Sequence, residues 1–537
     1  MLREKLRGIL EEAAGETGLA FSLVAPPRPD QGDYATNLPL VLAKVRGQNP
    51  MTFAAELAAK ISDPAFEARL VGGRLAIIEK VEVAPPGFLN ITLSQAVLQS
   101  KLERILTNPH TYGSDTKGGK KIQLEFISAN PTGPLTLANG RGGFFGDVLA
   151  RILVMRGFQV EREYYVNDAG NQVRMLGLSV LAAGGLVPDD EVYYHGDHIT
   201  DWAKTRKDIL EEEKDNPEKL GRIIAEEFLE NFIQPAVQNM EVAFDRWTSE
   251  YKDIREKGFV DKFLDLAKSK NLVYESEGAT WLKTTEFGDD KDRVLVTSDK
   301  FPTYFLVDAG HYLETKERGF DAKINILGAD HYGYVSRIQA VAKIVGILKS
   351  DVVVMQLVHL LANGEAQLMS KRKGVFVMMD ELIGDVGLDA VRYFFLEKNP
   401  ETHIDFDVEL AKKRTKENPV YYIQYAHARL ASIFRKGAEL PLTFDIKLLT
   451  SESERNLLRK LIQFPDVVED IAEDYRVSRI VHYAHELAQL FHSFYEKNRI
   501  LDAEPGVKEV RIALAAATQF VLARTLGVLG MKAPDEM

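Results

Sequence analysis

The chain contains no cysteine. That absence excludes disulfides, thiolate zinc sites and a cysteine nucleophile together, and it fits a reducing interior. Membrane-length apolar runs are missing as well, since no stretch reaches the roughly 18 consecutive apolar residues a span needs. The start, MLREKLRGILEEAAGE, lacks the continuous apolar core of a secretory signal and reads as an amphipathic helix. Basic charge is in deficit, with 67 Lys and Arg against 79 Asp and Glu, a net charge of −12. Blanket attraction to nucleic acid is thereby excluded; a local basic face is not, because footprints follow distribution rather than the sum. Internal repeats and low-complexity tracts are absent too.

What is present describes a folded protein: 45% hydrophobic and 27% charged residues. At 537 residues the chain exceeds one ordinary core, so two to four domains are expected. Residues 1–95 mix helical and strand signals and close in PGFLNITL. The turn-rich NPHTYGSDTKGGKK (108–121) separates them from a region where short β-rich runs alternate with helical ones. These runs are KIQLEFI, FQVEREYYV, RVLVTS, KINILGA and VVVMQLV, with a helix over FFGDVLARILVMRG. Such alternation predicts a parallel sheet with helices on both faces. A charged helical interval, TRKDILEEEKDNPEKLGRIIAEEF, reads as an insertion. From about residue 408 strand signals end. Leu487, Leu490, Phe491 and Phe494 repeat at i, i+3, i+4 and i+7, the apolar face of a helix.

Several motifs fail on spacing. GSDTKGGKK is one residue out for a P-loop and lacks the following Ser or Thr. Gly140, Gly142, Gly143 and Gly146 do not make G-x-G-x-x-G, so no dinucleotide fingerprint is read. His485-Glu486 meets Gln489 where a metalloprotease motif needs histidine, which leaves His482 and His485 as surface or packing residues. No metal site is predicted.

Two stretches suit phosphate. SANPTGPLTLANGR (128–141) follows a strand and runs into a Gly-rich helix start, where free backbone N–H groups and the helix dipole favour anions. LMSKRKGVFVMMDEL, some 230 residues later, is a basic loop. Together the two could close on one triphosphate.

SANPTGPL before a helix, YYVNDAGNQ, TYFLVDAGHYLET, GADHYGYV, MSKRKG and ENPVYYIQYAHARLASIF, in this order, resemble the class I arginyl-tRNA synthetases of the bacterial type. The resemblance implies a doubly wound, Rossmann-like α/β catalytic domain over 111–407 with an insertion around 180–250. It implies an α+β N-terminal domain over 1–110 that contacts the tRNA elbow, and an all-α anticodon-binding domain over 408–537. The implied activity is ligation of arginine to tRNA(Arg) through arginyl-adenylate. ATP with Mg²⁺ is then a substrate complex, no metal is bound by the protein, and a cytoplasmic monomer without membrane contact is expected.

Two departures matter. The family's His-x-Gly-His stands here as Thr136-Leu137-Ala138-Asn139, and its Lys-Met-Ser-Lys-Arg begins with Leu368, followed by Met369, Ser370, Lys371 and Arg372. Some relatives that lack that lysine carry one just before the first signature, where this chain has Gly133. One lost donor to developing charge typically costs about 3–4 kcal/mol. A threonine hydroxyl and an asparagine amide still donate hydrogen bonds, though without charge. Thr136, Asn139, Ser370 and Lys371 are therefore read as the catalytic set, with Lys371 the main cation. Ala138, Gly328, Asp330, His331 and Met369 join them at ATP.

By the same resemblance Glu250, Tyr304 and Asp308 recognise the guanidinium, whose planar donors fit carboxylates. Ser128 and Asn130, supported by Glu125, hold the α-amino end. Tyr34 and Asn37 meet the tRNA elbow, Tyr495 and Met537 meet the anticodon, and the run KKRTK (412–416) could touch phosphates. The altered signatures leave two alternatives: a catalytically impaired tRNA-binding or regulatory protein, and a small-molecule adenylyl ligase of the same superfamily.

Overall fold

Apolar runs bounded by turns build the centre of the molecule, a five-stranded parallel sheet. Its strands are β1 (Lys121–Glu125), β2 (Gln159–Val166), β3 (Arg246–Ser249), β4 (Ala322–Gly328) and β5 (Lys349–Met355), in the order β5-β4-β1-β2-β3. All four pairings are parallel. The computed structural model describes residues 2–63, 65–66, 77–115, 119–362, 365–367 and 378–537. Connections leave β1 toward β2 on one side and β4 toward β5 on the other. The switch in strand order, where open α/β sheets bind ligands, thus falls between β1 and β4.

RVLVTS departs from the sequence reading. Its core, Arg293–Val296, pairs antiparallel with Ala279–Leu282 in a separate three-stranded sheet. A β-branched run specifies a strand but not its partner.

Helix α1 (Leu137–Met155) crosses from β1 to β2 and is buried along nearly its whole length. Its glycines explain themselves here. A Cβ on Gly146 would lie 2.3 Å from the Phe126 ring, and one on Gly143 2.9 Å from Ile127, so the helix lies directly against the chain leaving β1.

In the N-terminal part, helices Leu38–Arg46 and Pro50–Ile61 lie on a four-stranded antiparallel sheet, and Pro50–Ile61 in turn carries the first helix, Leu2–Ala14. Leu2, Leu6, Ile9, Leu10 and Ala13 give that helix its buried stripe. The inserted segment has a core of its own, built on Leu176, Trp202, Leu220, Ile224 and Phe228. Helices Pro419–Arg435, Glu452–Asp474, Ser478–Lys497 and Val507–Leu529 form the C-terminal bundle. Val507–Leu529 is long and apolar enough by length and composition to cross a membrane, although charged and polar residues interrupt its apolar run. It is a core helix of the bundle, with 72% of its apolar window buried.

Arg392 knits these parts together. Fully buried, it pairs with Asp147 of α1 at 2.8 Å and donates to the carbonyls of Leu529, Met240 and Glu241.

Candidate active site

At the switch point Glu125 of β1 stands in register with Asn325 of β4. Asn325 Nδ2 donates to Glu125 Oε2 at 3.0 Å, and Lys323 Nζ lies 3.0 Å from the same oxygen. Glu125, Glu163 and His311 bring ligand atoms within 4.8 Å of one another, a spacing a metal could use. Lys323 and Arg318 occupy that charge instead, and His311 Nε2 sits 2.6 Å from Glu163 Oε1. Burial alone would raise Glu163, but His311, Lys323 and Arg318 outweigh it and hold the carboxyl well below its usual range. Cations of the chain thus neutralise the carboxylates at this floor of the cleft.

Beyond Glu125 the chain turns sharply. Ile127 (φ 64°) and Ser128 (φ 39°) occupy the left-handed region, which side chains rarely adopt and which costs on the order of 1–3 kcal/mol per residue. The end of β2 holds this turn. Ser128 Oγ accepts from the Tyr165 N–H at 3.1 Å, and the Ala129 carbonyl accepts from the Tyr164 hydroxyl at 2.9 Å. Asn167 Nδ2 donates to Asn130 Oδ1 at 3.0 Å.

The acidic pocket is assembled from three elements. Glu250 opens the turn after β3, 4% exposed. Asp168 organises that turn by accepting from the Ser249 hydroxyl and from the Tyr251 N–H, the latter at 2.8 Å. Arg255 contacts Glu250 through Nε at 2.8 Å and Nη2 at 2.7 Å, both on Oε1. Burial raises Glu250 despite this pairing. Asp308 lies on α2 (Tyr304–Glu317) and accepts from the Tyr334 hydroxyl. Burial pushes Asp308 up to about 6, with the Tyr334 bond opposing and the charge of Glu250 adding. Tyr165, buried and stacked on His311 at 4.5 Å, is raised first by burial and then by Glu250, Asp308 and Glu125 together. The three carboxylates therefore converge around one hydroxyl. Tyr304 stands at the rim, 57% exposed.

At the other end, Thr136 caps α1. Asn139 Oδ1 accepts from the Thr136 N–H at 3.0 Å and from its hydroxyl at 2.9 Å. The sequence reading made Thr136 a donor to phosphate; its hydroxyl is engaged with Asn139, while the Asn139 carbonyl alone serves the cap and leaves the amide group. Ala138, Gly328 and His331 are exposed here. Met369, Ser370, Lys371 and the side chain of Asp330 lie outside the described residues, as do Leu368 and Arg372. The exit of that basic loop is nonetheless fixed: Met378 bridges Thr136, and the Met379 N–H donates to the Leu135 carbonyl at 3.2 Å.

The remaining assignments fall elsewhere. Tyr34 is a correction: 2% exposed, it donates to Asp466 Oδ2 at 2.7 Å inside the contact between the N-terminal part and the bundle, and offers no surface to tRNA. Asn37 is half-buried and accepts from the Ser22 N–H at 2.7 Å. Tyr495 is half-buried under Arg429, whose guanidinium sits 4.8 Å from the ring, and Met537 is exposed. Lys412 and Lys413 pair with Asp385 and Glu417, so much of the basic run is locally neutralised. Asp168, Arg255, Tyr165 and Tyr334 were missed as site residues. Three of the four stand within or beside motifs already singled out, YYVNDAGNQ and GADHYGYV.

Comparison with known proteins bears directly on this arrangement. Residues 1–93 match the family described as arginyl tRNA synthetase N terminal domain, 101–431 the class I (R) tRNA synthetase catalytic domain, and 423–537 the DALR anticodon binding domain. The arginine–tRNA ligase of Carboxydothermus hydrogenoformans is 40% identical, covering 99% of this chain and 98% of the relative. That of Desulforudis audaxviator is also 40% identical, over 100% and 98%. Among solved structures, the arginyl-tRNA synthetase of Thermus thermophilus superposes with a TM-score of 0.81 at 22% identity, covering all of both chains.

Proposed function

The chain belongs to the class I arginyl-tRNA synthetases, aminoacyl-tRNA synthetases that use ATP to join arginine to tRNA, and from that premise we propose how its residues divide the reaction. Glu250 and Asp308 seat the guanidinium, with Tyr304 at the rim. One observation carries this: Asp308 is paired with a hydroxyl rather than a cation, so its charge awaits an incoming one. Ser128 and Asn130 take the α-amino group, and Glu125, anchored by Lys323 and Asn325, supports them.

ATP enters with Mg²⁺ as its substrate complex, its adenosine toward Gly328, Asp330 and His331. An arginine carboxylate oxygen attacks the α-phosphorus, and the bond to the pyrophosphate oxygen breaks. A ribose hydroxyl at the 3′ end of tRNA(Arg) then attacks the arginyl carbonyl, and AMP leaves. No side chain becomes covalently attached, so catalysis is positioning plus charge stabilisation. Asn139 donates to the leaving phosphates beside the amino end of α1, next to Ala138, and Thr136 holds Asn139 in place. Lys371 supplies the main cation, with Ser370 and Met369 shaping its loop.

Asn37, Tyr495 and Met537 contact tRNA, the first within a domain over 1–110 and the others within one over 408–537. The domain over 111–407 holds the chemistry. On this reading the enzyme acts as a monomer in the cytoplasm, where tRNA is charged.

The test is ATP–pyrophosphate exchange with arginine, run with and without tRNA(Arg). Arginine-dependent exchange supports the reading; its absence from a preparation that binds tRNA(Arg) overturns it. Lys371→Ala should lower exchange by about 10²-fold or more, far beyond Arg372→Ala; equal, mild losses would remove Lys371 from its role.

A further inference from the structure

The inserted segment reaches the active site through one imidazole. His198 Nε2 lies 3.1 Å from the carbonyl oxygen of Thr132, four residues before Thr136. A carbonyl can only accept, so Nε2 carries the proton and donates. The ring rests on Phe228 and Phe232 of the insertion, with centroids 5.5 and 6.3 Å away.

Two glycines make room for it. A Cβ on Gly133 would stand 2.9 Å from Nε2, and one on Gly196 2.9 Å from Cε1 and 3.0 Å from Nδ1. Gly196 is also left-handed, at φ 137°, a backbone that other residues rarely adopt. A side chain at either position would have to displace the ring. Thr132 itself donates from its N–H to the Asn130 carbonyl at 2.7 Å, so the loop held by His198 joins Asn130 to the cap at Thr136.

We propose that His198 is a positioning residue for the adenylation step: by donating from Nε2 to Thr132 it fixes the loop over residues 130–135, and through it the placement of Asn139 at the phosphates. The insertion, which has its own core, thereby sets the geometry of a loop in the catalytic sheet. The role rests on the reading above that Asn139 faces phosphate. A displacement of the order of 1 Å at such a loop is enough to lower a rate about 10²-fold.

Three variants test it. His198→Ala removes the donor, His198→Gln offers a side-chain amide in its place, and Gly133→Ala pushes the ring away while leaving the imidazole intact. Exchange is measured at saturating arginine and tRNA(Arg) with ATP varied, beside urea unfolding midpoints. His198→Ala and Gly133→Ala should each lower kcat/KM for ATP at least about tenfold, and His198→Gln should recover to within roughly threefold of the parent. His198→Ala within about twofold of the parent, or His198→Gln no better than His198→Ala, overturns the proposal. Should the alanine variant fail to fold, Gly133→Ala and His198→Gln carry the same limits. Nitrogen NMR of the ring reads the link without turnover: a proton on Nε2 is expected, and one on Nδ1 overturns it. A parent protein inactive in exchange would count against the reaction, while the ring spectrum still judges the link.

Discussion

Asp308→Asn offers the sharpest examination of the acidic pocket. The substitution keeps the shape and the bond with Tyr334 but removes the charge that the guanidinium would meet. Truncating one partner of a buried charge pair costs about 2–5 kcal/mol, and about 3 kcal/mol corresponds to roughly 10²-fold. Because the contact is made with substrate and transition state alike, the loss should appear in the KM for arginine, with kcat little changed. The pH dependence supplies a second reading. Burial pushes Asp308 up to about 6. Below that pH the carboxyl carries a proton that must leave before arginine binds. Arginine affinity in the parent should therefore fall as pH drops through about 6 and level off above 7. In Asp308→Asn this limb flattens by the share Asp308 contributes, while that of Glu250 remains. Tyr334→Phe removes a bond that holds Asp308 down, so its limb should move to higher pH. Exchange with tRNA(Arg) present, from pH 5 to 8, measures all three proteins. An Asp308→Asn variant with arginine KM within about threefold of the parent, or with an unaltered acid limb, would refute the reasoning.

The cap and the phosphate donor can be separated at Asn139. Asn139→Ala should lose both, about 1 kcal/mol of stability and about 10²-fold in exchange; Asn139→Asp should keep the denaturation midpoint yet lose at least as much rate, and equal midpoints for the two variants would count against the cap. Gly146→Ala drives a Cβ to 2.3 Å from Phe126. It should cost about 1–3 kcal/mol in urea unfolding and lower exchange as well, since Ile127 and Ser128 follow directly; a loss of stability with full activity would detach α1 from the site. Arg392→Met strands three carbonyl acceptors, two of them buried, but Asp147 keeps Arg151 at 3.0 Å. A loss near the lower end of about 3–5 kcal/mol is expected from chemical denaturation, and a loss below about 1 kcal/mol would show that Arg392 does not tie the parts together.

How far a site can be read from sequence depends on whether its chemistry is local. Four of the five central strands follow from apolar runs; β3, with RWTS, does not, because its hold on the sheet is pairing with β2 and the stack of Trp247 on Tyr164 at 4.4 Å. Asp308 stands in TYFLVDAGHYLET and Glu250 follows from the resemblance, so both could be named, yet Tyr334 and Asp168, which orient them, were passed over in GADHYGYV and YYVNDAGNQ. Their roles appear only when the carboxyl ends of β2, β3 and β4 meet. Tyr34 failed for the opposite reason. Resemblance names the residue, but its environment is Asp466, 432 residues away, and no periodicity reports such a contact. The glycines of α1 make the point most clearly. Judged against a dinucleotide fingerprint their spacing is wrong, and that rejection stands. For Gly143 and Gly146 the cause is the close approach of the helix to Ile127 and Phe126, at the turn that leads to Ser128 and Asn130, while Gly140 makes room for Met379. The cluster is therefore part of the site after all: it touches no ligand, and it lets the loop that does lie where β1 leaves it.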